Sequence, residues 1–109
     1  NRRVIIFQWS AVSRDGYVDL LLGIVRRWVH FDLLELGWPA GRILRCASEN
    51  GSVTVEHHFD DMQAFERAWE SLLNSEQAPE FWAELRPYLA DDDVDRQLYS
   101  VTYARDRSR

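Results

Sequence analysis

The residues of this chain best suited to chemistry fall on one predicted hairpin. Asn50-Gly51 stands between two β-prone runs, Arg42 to Ser48 and Val53 to Phe59, and that dipeptide is the strongest short-range hairpin signal a sequence offers. A two-residue type I′ turn on Asn50-Gly51 sets Arg45 opposite Glu56 and Cys46 opposite Val55. Counting by twos puts Leu44, Cys46, Val53, Val55, His57 and Phe59 on one face, and Ile43, Arg45, Ala47, Thr54, Glu56 and His58 on the other. A His beside a Glu can move a proton, so His58 and Glu56 are the catalytic candidates. Arg45 can hold an anionic or enol oxygen, and Gln8 and Ser10, from an upstream strand, join it as ligand-binding candidates. Such a set suits cofactor-free oxidation or isomerisation of an aromatic or enolisable compound. The plainer alternative is that Arg45 and Glu56 only neutralise each other while His58 packs at a subunit contact. The protein would then be a non-catalytic oligomerisation or interaction module.

Other chemistries are poorly served. His57 and His58 are neighbours on a strand, point to opposite faces and cannot share one metal ion. Asp91, Asp92, Asp93 and Asp95 lack the spaced ligands and turn glycine of a calcium loop and read as a hydrated acidic segment. His30 lies on the polar stripe of a helix and reads as solvated. No cofactor or metal is implied. There is no G-x-S-x-G, H-E-x-x-H, G-x-G-x-x-G or C-x-x-C. All 13 cations are Arg, so neither a Schiff-base lysine nor a P-loop lysine is available. The net charge of −5 repels phosphate backbones, and the arginines at the two ends, Arg2, Arg3, Arg105, Arg107 and Arg109, read as solvated tails. Cys46 has no internal partner and sits on the expected core face as a small hydrophobe. A single cysteine favours a reducing, cytoplasmic setting. The longest apolar run, Leu20 to Val25, is far too short to span a membrane.

The elements that must position these residues can be read in order. The composition, 46% hydrophobic and 28% charged over 109 residues, suits one globular domain. Its ordered core is expected over about 4–103, with a mobile tail at 104–109. Val4 to Val12 reads as a strand. Tyr17 to Leu36 carries Leu21, Ile24, Val25, Trp28 and Phe31 at helical spacing, with Asp15 as N-cap and Gly37 and Pro39 as the stop. The apolar arc of this helix is wider than one buried face needs. After the hairpin, Asp60 offers an N-cap with Gln63 at N3, and Ala64, Phe65, Ala68, Trp69, Leu72 and Leu73 stripe a second helix ending near Asn74. Pro79 opens a short helix bearing Phe81, Trp82, Leu85 and Leu89. Gln97 to Tyr103 closes as a strand. Trp9, Trp28, Trp69 and Trp82 read as core and Trp38, before Pro39, as an exposed loop residue.

The order β-α-β-β-α-β is the split motif of ferredoxin-like α+β folds. It predicts one four-stranded antiparallel sheet in the order 4-1-3-2 with both long helices on one face. The uncovered face would carry Ile6, Ile43 and Ala47, and a second copy of the chain is the expected cover, giving a homodimer.

On VTVEHHF, DDMQAFERAWESLLNS and PEFWAELRPYL, the chain resembles the dimeric α/β-barrel superfamily, over roughly residues 4–103. Its nearest-looking relatives there are NIPSNAP-like and antibiotic-biosynthesis-monooxygenase-like proteins. The resemblance implies two ferredoxin-like subunits packed sheet on sheet around a cavity lined by Arg45, Glu56 and His58. The superfamily includes cofactor-independent oxygenases, isomerases and haem-degrading enzymes. Haem-degrading members use a first-strand Asn with a Trp and a His near the second helix. Here Gln8 and Trp69 match loosely, and no His follows His58, so that activity is not carried over.

Overall fold

A computed structural model describes residues 3–91 and 94–102. Four strands, β1 (Ile5–Val12), β2 (Gly41–Arg45), β3 (Ser52–Phe59) and β4 (Asp95–Ser100), form one antiparallel sheet in the order β2-β3-β1-β4. The order is the one expected of a ferredoxin-like α+β chain. Central β1 and β3 alternate cleanly, with Ile5, Phe7, Trp9, Ala11, Val53, Val55, His57 and Phe59 buried under the helices. Their alternate residues form the open face.

The long first helix is not uniform. Helix α1 (Val18–Arg27) runs into a π-helical turn (Trp28–Asp32) and a last α-helical turn, α2 (Leu33–Glu35). The Leu33 N–H donates to the carbonyl of Trp28, five residues back. One extra residue in the turn rotates all that follows, so Val29 and Leu33 point inward and Phe31, expected on the apolar stripe, is 66% exposed. Asp15 is not the cap: Tyr17 precedes the helix, and no side chain caps it. Gly37, at φ +88°, ends the helix as expected. The wide apolar arc is partly covered by helix α4 (Gln77–Leu85), where Phe81 stacks on Trp28 with centroids 4.3 Å apart and Glu84 pairs with Arg27.

The hairpin departs from its expected register. The strands are joined by the six residues 46–51 instead of two, and the pairing sets Arg42 opposite Glu56, Ile43 opposite Val55 and Arg45 opposite Val53. Gly51 has φ +97°, as an Asn-Gly turn needs, but it belongs to a longer loop whose carbonyl accepts from Ser13 N at 2.9 Å. The offset of three is odd and turns β2 over. Ile43 packs against the core, Leu44 moves to the open face, and Ala47 and Cys46 are exposed in the loop. The open face therefore keeps Ile6, exchanges Ile43 for Leu44 and loses Ala47 to the loop.

Helix α3 (Met62–Leu73) is capped by Asp61, whose Oδ1 accepts from Ala64 N at 2.8 Å, one residue later than the expected Asp60. Pro79 lies in the first turn of α4, as expected. A 3₁₀ turn (Arg86–Tyr88) leads toward β4, which begins at Asp95 and ends at Ser100. Asp92, Asp93, Tyr103 and the expected tail, 104–109, lie outside the described residues. No helix among the described residues is long and apolar enough to cross a membrane.

The core contains one polar ring. His57 is fully buried, its two ring nitrogens have no hydrogen-bond partner among the described residues, and the edge of Trp38 meets it at 5.0 Å between centroids. Burial, and then the charge of neighbouring His58, push its pKa down to about 4. Gly41 sits opposite His57 in the ladder, and a Cβ there would come within 2.4 Å of His57 Nε2. Only a glycine admits the imidazole.

Gly41→Ala is expected to cost about 1–3 kcal/mol by overpacking. Much of that cost should vanish in a His57→Val background, as read by urea unfolding of the four proteins of the cycle. The folded chain resists protonating His57 and the unfolded chain does not. Stability contributed by this group is therefore complete above the ordinary histidine pKa of about 6.5, falls as pH drops from there, and is lost near pH 4. The total is about 3 kcal/mol. His57→Leu should remove that part of the acid dependence, so its stability relative to the native chain should rise as pH falls from 7 to 4.

Candidate functional site

The sheet carries different chemistry on its two faces. On the open face Arg42, Glu56, Gln8 and Gln97 lie side by side across the four strands. Glu56 Oε1 accepts from Arg42 Nε at 3.0 Å and faces its Nη2 at 3.0 Å, while Oε2 accepts from Gln8 Nε2 at 3.0 Å. His58 Nε2 is 3.6 Å from Glu56 Oε1. In the next row the hydroxyls of Ser10 and Thr54 are 2.8 Å apart. The structure thus brings Glu56, His58, Gln8 and Ser10 onto one face, as expected, but not Arg45. The register shift puts Arg42 in the place Arg45 was expected to fill, and Arg45 turns to the loop, where it donates to Asn50 Oδ1 at 3.1 Å. A cation faces Glu56 as anticipated, three residues earlier in the chain.

This row is already satisfied. Desolvation raises the Glu56 pKa, but hydrogen bonds from Arg42 and Gln8, the Arg42 charge and His58 outweigh it and hold the carboxyl below its ordinary value. A carboxylate so well supplied with donors is a weak proton acceptor. Half-exposed His58 lines a cleft of about 420 Å³ with Asp60 and Arg67, and Ser10 lines another of about 440 Å³ with Glu49, Asp91 and Asp95. Glu56 lines neither.

The other face holds a different site. Between the sheet and the helices lies a cavity of about 190 Å³ whose wall includes all five tryptophans of the chain, Trp9, Trp28, Trp38, Trp69 and Trp82. Strand β1 supplies Trp9 and Phe7, and the π-helical turn presents Trp28 at its start while Leu33 follows at its end. Residues five apart share a side of a π turn, whereas α-helical spacing would separate them. Trp38 was expected in an exposed loop and is buried at 4%. Its Nε1 donates to the Ala68 carbonyl at 2.9 Å, and Ser71 Oγ donates to the Leu36 carbonyl at 2.8 Å, so two bonds tie the 36–38 turn to α3. Edge contacts with Phe7 and Phe59 at 5.8 and 5.4 Å complete its pocket.

Arg96, on β4 beside Trp9, is the only charged residue of the lining and the only exposed one, so it marks the mouth. It has no hydrogen-bond or ion-pair partner among the described residues. The lining contains no carboxylate, imidazole or thiol. An apolar cavity of about 150 Å³ accepts a benzene, so this one suits a compound of one or two rings. The sequence places four of these tryptophans in the core and Trp38 in a loop, and does not show that the five enclose space. The signal available was their number, with five indoles for so small a chain and one lone arginine next to them on the last strand.

Cys46 contributes nothing here. It is exposed, and hydrogen bonds from the Ser48 hydroxyl and backbone draw its thiol below the ordinary pKa. Among the described residues, no group of three or more His, Cys, Asp and Glu side chains could hold a metal ion.

No protein-family model matches the chain, and no curated protein matches it by sequence. Solved structures do match its fold. The chain is similar to SnoaB, a cofactor-independent oxygenase from Streptomyces nogalater, at 17% identity and TM-score 0.67, over 95% of this chain and 97% of that one. It is similar to a putative antibiotic biosynthesis monooxygenase from Nitrosomonas europaea at 11% identity and TM-score 0.72, over 94% of each chain. A NIPSNAP family protein from Agrobacterium tumefaciens matches at 12% identity and TM-score 0.71, over 94% of this chain and 89% of that one. At these identities the likeness is one of fold. The ferredoxin-like fold implied by the resemblance is the fold of the chain.

Glu56→Ala strips the acceptor from Gln8 and Arg42 at a half-buried position. It is expected to lower stability by about 1–2 kcal/mol, measured by urea denaturation, and the loss should shrink in high salt as the Arg42 part is screened.

Proposed function

We propose that the chain is a homodimeric small-molecule protein that binds a one- or two-ring planar organic anion in the tryptophan-lined cavity and oxidises it without a cofactor. The observation that carries this reading is the convergence of all five indoles on one cavity with a single guanidinium at its mouth, that of Arg96, which is unpaired among the described residues. Aromatic walls favour a flat ring by stacking and edge contacts, and Arg96 holds a phenolate or enolate oxygen at the rim. Because the lining offers no proton acceptor, the ligand must ionise readily by itself, as an acidic phenol or enol does. The resulting enolate is electron-rich enough to reduce dioxygen. A ring CH₂ then loses two hydrogens and becomes a carbonyl, one oxygen atom entering the ring and the other leaving as water. The protein supplies a dry, shaped space and stabilises the anion. SnoaB, similar to this chain in fold, is a cofactor-independent oxygenase, which agrees with this class of reaction.

In this reading Glu56, His58, Gln8 and Ser10 serve the face through which two copies pair, and the sheet itself separates them from the reaction. Strand β4 is exposed along its whole length, with Leu98 and Tyr99 uncovered on opposite faces, and a second copy is the natural cover. Light scattering should report twice the chain mass of 12.9 kDa.

The test uses 1,3-dihydroxynaphthalene, an enolisable two-ring compound. It should quench the intrinsic tryptophan fluorescence saturably and be consumed with dioxygen uptake. Arg96→Gln should weaken binding about tenfold and slow oxygen uptake at least as much, while His58→Ala should change neither by more than about twofold. Saturable binding without oxygen uptake would leave a binding protein and remove the enzyme. Absence of binding would overturn the proposal and favour the interaction module.

A further inference from the structure

The tryptophan cavity has a neighbour. A second cavity of about 210 Å³ lies beside it, lined by Phe7, Phe65, Trp69, Arg96, Gln97 and Leu98. The two share three residues, Phe7, Trp69 and Arg96. These three are not equivalent. Phe7 is fixed in the central strand, hydrogen-bonded on both sides and buried, so it is a permanent floor. Arg96 is exposed and lines the rim of each, where a flexible side chain makes no fixed wall. Trp69 reaches down from α3, touches Phe7 edge-on at 5.5 Å and stacks on Phe65 at 5.9 Å. Its indole N–H has no hydrogen-bond partner among the described residues, in contrast with that of Trp38, which is tied to Ala68. The shared wall is thus one half-buried indole held by ring contacts alone.

We propose that Trp69 is the residue that sets ligand length, a partition between two cavities that would otherwise form one elongated aromatic slot. The inference rests on the cavity reading above and adds the specificity determinant. With the indole in place, a ligand anchored at Arg96 has room for two fused rings on one side. With it removed, the joined volume is about twice as large and a linear third ring has somewhere to go. Arg96, common to both rims, anchors the acid group of a short or a long ligand alike.

Two soluble anions test this by fluorescence titration and calorimetry, 2-naphthoate with two rings and anthracene-2-carboxylate with three. The native chain should bind 2-naphthoate at least about tenfold more tightly than anthracene-2-carboxylate. Trp69→Ala should reverse the order, gaining about tenfold or more for the three-ring anion. Trp69→Phe keeps the stacking on Phe65 and should fall between the two, and circular dichroism and thermal melting establish that each variant is folded. If the alanine variant does not fold, the intermediate gain of the phenylalanine variant carries the test. If 2-naphthoate binds but neither variant gains affinity for anthracene-2-carboxylate, or if the native chain binds both alike, the partition is overturned and the cavity reading stands. If the native chain binds neither anion, the cavity reading falls and the partition with it.

Discussion

Five indoles laid between a one-sided sheet and its helices are the constraint on which the rest of this structure depends. Aliphatic cores interdigitate to crystal-like density because their side chains adapt to one another. Large flat rings leave gaps wherever their planes meet at steep angles. Here Phe7 meets Trp38 at 67° and Trp69 at 65°, and Trp9 meets Phe81 at 73°. Among the described residues, Trp28 and Phe81 lie nearly parallel at 6°, and Phe65 and Trp69 stack at 27°. The space left among these rings is the cavity, so the same residues that build this part of the core also keep it from closing.

The sheet makes this arrangement tolerable by dividing labour between its faces. Strands β1 and β3 alternate strictly, so the aromatic and aliphatic residues facing the helices alternate with outward residues that are polar except for Ile6 and Val12. The Arg42, Glu56, Gln8 row satisfies itself within the open face and takes no part in the core. His57 is the exception, a polar ring on the aromatic side with no hydrogen-bond partner among the described residues. Gly41 admits it and Trp38 closes over it, which makes the β2–β3 edge the place where packing is most tightly specified.

Much of this was legible in the sequence, and the failures have physical causes. Element order, sheet order and the burial of His57 follow from periodicity and turn residues, because alternation in β1 and β3 is strict. The hairpin register was misread because Asn50-Gly51 announces a φ > 0 turn without saying how many residues flank it. Gly51 adopts that φ, yet the loop takes six residues, and the odd offset exchanges Arg45 for Arg42 and turns Cys46 out to solvent. The π turn left no local signature either. A 3.6-residue stripe through Trp28 and Phe31 is self-consistent, and only the pull of Trp28 and Leu33 to a common side breaks it. The cavity was illegible for a related reason: periodicity reports which way a tryptophan points and not whether its neighbours fill the space in front of it.

The charge pattern around the cavity limits the chemistry that this fold can support here. A net charge of −5 opposes anions at long range, but screening confines that effect to about 8 Å at physiological salt, and the Arg96 guanidinium at an apolar mouth dominates within that distance. Walls without a base cannot abstract a proton from a reluctant carbon, so a ligand must arrive already acidic. Dioxygen, small and apolar, needs no polar site of its own. On the reading proposed above, an aromatic chamber with one positive charge at its mouth suits reactions in which the bound anion is itself the reductant.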